Sequence, residues 1–242
     1  MSKDTFKKRG FLSSEAEVFR SSIRESLSLD FDSVEQESER ATRSLVGVRP
    51  QVLSIVTISA ILFWYRSVRA CQAAILLCER GMAQEGQVLI RTGLESLFYA
   101  VALRKDEEVF DRLESNVNKE KLKQIAGMLR NSEGNLTQVQ IDDLREFESL
   151  MEKPGKNISV FEAAKMADME FLYETAYRGF SLTAAHGTFS SLDWLLVERD
   201  SGLTFAMGPT DQHVSWTLGI AKICLTQGVQ AFSDLHSAAE SS

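Results

Sequence analysis

An all-α fold, a single-domain helical bundle of about seven to nine helices built on a central antiparallel hairpin, follows from three features of the sequence. Apolar residues recur at three- and four-residue spacing along most of the chain. No segment sustains the period-two alternation of a half-buried strand. Only 3 prolines fall within 242 residues, so long helices meet few obligatory breaks.

From Glu15 to Val46 the apolar residues Phe19, Ile23, Leu27, Phe31, Val34, Ala41 and Leu45 keep mostly helical spacing among Glu, Ser and Arg, which predicts one amphipathic helix or two. Arg49-Pro50 marks a break, because the residue before a proline is steered out of the helical region. Residues 1–50 are therefore read as an N-terminal amphipathic helical segment and residues 51–242 as the bundle domain. Val52 to Arg80 reads as a long helix, apolar on nearly all sides and ended by Gly81 as a C′ residue. A second apolar helix starts near Glu85 and runs through Val88, Leu94, Phe98 and Leu103; so short a connection makes the pair a hairpin.

Asp106 to Leu129 is more polar and predicts a surface helix, Asn131 to Gln138 a loop, and Val139 to Met151 a short amphipathic helix stopped by Lys153-Pro154-Gly155. Ser159, with Glu162 three residues on, forms a capping-box pattern for one helix through Phe161, Met169, Leu172 and Ala176. Ser201 to Thr210 reads as a loop, after which Asp211 caps a last helix through Val214, Leu218, Ile223, Val229 and Phe232.

Composition narrows the function classes. A net charge of −7 repels nucleic-acid backbones and acidic membranes as a whole, so DNA is not an expected partner. Cys71, Cys78 and Cys224 lie in apolar surroundings without a CxxC pair and read as reduced core residues. The apolar run Val52 to Tyr65 is shorter than the roughly 20 residues of a spanning helix and leads into Arg66 and Arg69, so it reads as core. No apolar stretch follows the charged first residues, and a cytoplasmic location is expected. His213 and His236 show no metal-ligand spacing, and no phosphate loop, dinucleotide fingerprint or nucleophile elbow occurs, so neither metal nor cofactor is expected.

Two places carry possible chemistry. Arg91 and Glu95 stand one turn apart on an otherwise apolar helix, either as a self-satisfied ion pair or as part of a polar pocket. His186, followed by Gly187, fits an ordinary helix C-terminus, where a histidine favours the dipole and glycine takes the left-handed C′ conformation. It also fits an acid/base role beside Arg178 or Arg91.

The order of helix, Arg80-Gly81, helix with Arg91-x-x-x-Glu95, then Tyr177, Ser181 and His186 resembles the bacterial domain-of-unknown-function family 5677, over roughly Ser54 to Leu196. That resemblance implies an all-helical bundle and no established reaction. Arg178 followed by His186 also invites comparison with HEPN ribonucleases of defence and toxin systems, although the seven residues between them exceed the usual spacing there. Two functional readings follow. One is a ligand- or protein-binding module with a pocket at Arg91, Glu95, Tyr177 and Ser181. The alternative is a metal-independent ribonuclease, with His186 moving the 2′-hydroxyl proton and Arg178 stabilising the phosphorane-like charge. A homodimer is the expected assembly, and RNA or a small ligand the expected partner.

Overall fold

A computed structural model of the chain describes residues 5–46, 48, 53–199, 202–206 and 208–234. It is all-α apart from one short β-hairpin. The Arg49-Pro50 break and His236 lie outside the described residues.

Two apolar helices, α4 (Ile55–Cys78) and α5 (Ala83–Lys105), form the central hairpin. Ser54 caps α4 by accepting from the Thr57 N–H at 3.1 Å. The turn between the helices closes because Gly81 adopts φ +73°, letting its N–H reach Cys78 O and the Met82 N–H reach Leu77 O. A Cβ there would also sit 2.7 Å from the Thr210 backbone nitrogen. One flank of α4 is core, with Trp64, Val68, Cys71, Ala74 and Cys78 buried; the other exposes Leu62, Tyr65, Arg66, Arg69 and Leu76. Among the described residues α4 is the one helix long and apolar enough to cross a bilayer, and in the fold it is a half-buried member of this hairpin.

The N-terminal segment resolves into α1 (Phe6–Arg9), α2 (Glu15–Ser26) and α3 (Ser28–Arg43), with α2 and α3 parted at Leu27. Phe31, Val34 and Ala41 of α3 enter the same core as the hairpin. Glu79, with a side chain only 4% exposed, receives Arg20 Nε at 2.7 Å and Arg24 Nη1 at 2.9 Å, tying α2 to the end of α4.

Beyond the hairpin, α6 (Glu108–Arg130) and α7 (Gln138–Leu150) lie at the periphery, and α6 holds the chain before α8 (Val160–Met166) through Asn116 on Ile158 and Arg112 on Asn157. The Ser159 capping box forms as expected, at 3.1 Å to the Glu162 N–H and 2.8 Å back to the carboxylate. The helix it starts does not run through to Ala176. Asp168 takes φ +57°, the Met169 N–H turns back to Ala164 O, and a new helix, α9, spans residues 170–185. Asp is among the few residues that tolerate this left-handed turn, and nothing in the apolar pattern announces it.

A short α10 (Phe189–Leu192) follows, then β1 (Leu196–Arg199); the segment expected to be a loop, Ser201 to Thr210, contains β2 (Gly202–Phe205), paired antiparallel with β1 from Leu196 opposite Phe205 to Arg199 opposite Gly202. Strands of four residues are too short to show periodicity. The last helix, α11 (Val214–Ala231), packs on α3, α4 and α5. It begins two residues later than an Asp211 cap implies: His213 stands at its start with φ +62° and no side-chain cap.

Candidate functional site

The polar residues of α5 and α9 meet on one face. Arg91, Glu95 and Tyr99 follow one another at four-residue spacing on α5, and α9 opposes them with Tyr177 and Ser181. Arg91 donates from Nε to Ser181 Oγ at 2.7 Å and from Nη2 to the Tyr177 hydroxyl at 2.7 Å. The Tyr177 hydroxyl in turn donates to Glu95 Oε2 at 3.0 Å. The guanidinium carbon lies 4.5 Å from the Tyr177 ring centroid, so cation–π attraction adds to the hydrogen bonds.

The helix that supplies Tyr177 and Ser181 is widened at both. Residues Tyr173–Tyr177 and Ser181–Ala185 are wound as π-helix on either side of an α-helical turn. Hydroxyls along α9 occupy carbonyls one turn back: Thr175 on Phe171 at 2.7 Å, Ser181 on Tyr177 at 2.8 Å and Thr183 on Gly179 at 3.0 Å. Such back-bonding competes with the regular ladder, and single π turns are common at functional sites. Tyr173 stacks on Tyr177 at 5.0 Å and 18°, and Phe98 backs both rings, so the tyrosine presented to Arg91 is fixed in place.

The electrostatics follow from this packing. Burial pushes the Tyr177 hydroxyl well above the usual phenol range, and the Glu95 carboxylate pushes the same way against the opposing effect of Arg91. Burial and then Glu95 raise Tyr99 to about 12. Both phenols therefore stay protonated, and the Tyr177 hydroxyl can accept from Arg91 and donate to Glu95 at once.

Arg91 Nη1 and Glu95 Oε2 stand 3.6 Å apart, an ion pair too long to be a good hydrogen bond. Arg91 is 22% exposed and Glu95 34%. Among the described residues Nη1 has no hydrogen-bond acceptor and Glu95 Oε1 no donor, so charged groups held firmly by their neighbours still face solvent.

Arg178 and His186 are not part of this network. Arg178 is 64% exposed and pairs with Glu174 at 3.0 Å on its own helix. His186 follows the second π segment in extended conformation, φ −115° and ψ 146°, and is exposed. Gly187 is not in the left-handed region, so the helix end is not the glycine-closed terminus that the His-Gly pair suggests. Among the described residues no three His, Cys, Asp or Glu side chains converge as a metal-ligand set. Tyr99 belongs to the site and was not singled out by sequence, although its spacing from Glu95 repeats that of Glu95 from Arg91.

The model of a family of unknown function, DUF5677, matches residues 58–203. The chain belongs to that family. The match takes in α5, α9 and the β-hairpin as far as Leu203, and hence all four residues of the Arg91 network with Arg178 and His186. The helices α2, α3 and α11, which complete the core, lie outside it. No curated protein and no solved structure matches the chain.

Proposed function

We propose that this chain is a binding module whose site at Arg91, Glu95, Tyr177 and Ser181 takes a ligand or partner group bearing a carboxylate or phosphate. The observation that carries this reading is the state of Arg91. Two of its nitrogens are anchored by Ser181 and Tyr177, while Nη1 has no hydrogen-bond acceptor among the described residues and the side chain remains 22% exposed. A guanidinium oriented in advance, with donors still unspent, suits planar or tetrahedral oxyanions and loses little side-chain freedom on binding. Glu95 beside it selects against anions without a donor, because a second negative charge at this distance must bring a hydroxyl or ammonium to face Oε1.

The ribonuclease alternative places its chemistry on Arg178 and His186, and among the described residues no hydrogen bond or ion pair joins them to each other or to Arg91. Thermal shift of the purified protein in phosphate, serine and succinate, against chloride at matched ionic strength, tests the binding reading. Stabilisation by one of these in the wild type and its loss in Arg91→Gln is the expected result. No stabilisation by any of them overturns it. Cleavage of labelled RNA in EDTA, lost in His186→Ala with the fold intact, would assign the ribonuclease activity instead.

A further inference from the structure

The α4–α5 turn, a 3₁₀ turn at Asp193–Leu195, the end of β2 and the lead into α11 surround a cavity of about 540 Å³. This volume falls within the range of small-molecule sites. Three aromatic side chains from separate parts of the chain line it: Phe11, Trp194 and Phe205. Among the described residues its one ionisable lining side chain is Glu85, in the first turn of α5, and no lysine, arginine or histidine shares the lining. Glu85 is exposed and makes no hydrogen bond or ion pair with another side chain among the described residues.

Trp194 is held in place rather than free to collapse into the space. The His213 ring stacks on it, with centroids 4.1 Å apart and planes inclined 25°. To reach that position His213 takes a left-handed φ of +62°, an uncommon conformation for a non-glycine residue. The hairpin that carries Phe205 is anchored where Ala206 N–H donates to Leu195 O at 2.8 Å. On the opposite wall Gln84 is fixed by donating to Thr183 O at 2.9 Å and Ser191 O at 2.8 Å.

We propose that this cavity binds an organic cation, an ammonium group carried on a compact apolar skeleton. Aromatic faces attract a cation through their quadrupole, and do so most strongly when water is excluded. A carboxylate lacking an internal cation supplies the matching charge, and the apolar lining takes the skeleton. Among the described residues the charge an anion meets here is that of Glu85, which repels it. The site is therefore complementary in sign to Arg91, stands on different residues, and does not depend on the function proposed for that arginine.

Isothermal titration with benzyltrimethylammonium tests this, with benzoate and benzyl alcohol as anionic and neutral comparisons. The expected result is saturable binding of the cation, weaker binding of the alcohol and none of benzoate. Glu85→Gln and Phe205→Ala, both at exposed positions, should each weaken the cation about tenfold with the circular dichroism unchanged. Glu133→Gln, a charge change in the loop between α6 and α7, should leave it unaltered. Trp194→Ala should abolish binding, and the two exposed variants decide the matter if that protein does not fold. Absence of saturable cation binding to the wild type overturns the proposal, as does equal affinity for cation and alcohol that is indifferent to Glu85→Gln.

Discussion

Gly228 lies flush against the indole of Trp64: a Cβ built on the glycine would come within 2.0 Å of the ring. Trp64 is fully buried, stacked on Phe232 at 6.0 Å and donating to Ser44 Oγ at 3.3 Å, so it ties α4 to α11 and to the end of α3. The ring has nowhere to go. Gly228→Ala gains about 1 kcal/mol in helix propensity but overpacks this contact, and the net expectation is a loss of about 2 kcal/mol, measured by guanidinium denaturation. Pairing it with Trp64→Phe should lose less than the two single changes summed, since the smaller ring frees the same space.

Tyr177→Phe removes the hydroxyl that bridges Arg91 and Glu95. At neutral pH it should cost about 1 kcal/mol, because Arg91 and Glu95 are partly exposed and water takes over the lost bonds. The larger effect lies at alkaline pH. The folded chain holds protons on Tyr177 and Tyr99 that the unfolded chain releases near pH 10. The stability they contribute is thus complete below about pH 10 and is lost as pH climbs through about 12 and beyond. Of the 4 tyrosines, these two should ionise late in a phenolate absorbance titration, and Tyr177→Phe should remove one late step and flatten the alkaline fall in stability. A titration with no late phenol would contradict this geometry.

Glu162 works in the opposite direction. The Ser159 backbone N–H, then the Ser159 hydroxyl and Arg112, hold its carboxyl below the usual 4.5. Its contribution is therefore present above about pH 4.5 and disappears as pH falls through the depressed value. Glu162→Gln should lower the melting temperature at neutral pH, and the gap to wild type should narrow on acidification towards pH 3. A gap independent of pH would mean that the capping box acts through shape alone.

The three thiols should be silent in the native state. Cys71, Cys78 and Cys224 are buried; burial raises Cys78 to about 12, and the hydrogen bond with Cys224, then burial, raises Cys71 well above the ordinary thiol range. A thiol-reactive chromophore should find none of them in buffer and all 3 in guanidinium. Modification of one cysteine at the rate of a free thiol would show that α4 or α11 opens locally.

The fold was legible wherever one segment's own pattern decided its conformation. Gly81 after a continuous apolar helix announces the hairpin, and Ser159 with Glu162 announces a helix start; both stand in the structure. The pairing of Arg91 with Glu95 could be read from spacing, and the resemblance brought Tyr177 and Ser181 to the same place. What escaped was set by contacts between distant segments or by rare backbone states. Asp168 and His213 take left-handed conformations that no periodicity marks. Trp194 and His213 meet only because the β-hairpin brings them together, and that hairpin is too short to alternate. The π turns of α9 depend on hydroxyl bonds and on the grip of Arg91, so composition alone could not separate them from ordinary helix.

Those two wide turns make α9 sensitive to residue count. A π turn accommodates an extra residue within the helix, and an α-helix advances about 100° per residue. Removing Thr175 would let the first π segment relax to α-helix with Ser181 still facing Arg91, whereas adding a residue between Tyr177 and Ser181 would swing Ser181 and the approach to His186 about 100° around the axis, away from Arg91. That added length, with every functional side chain retained, would then take the site apart more completely than any single substitution within it.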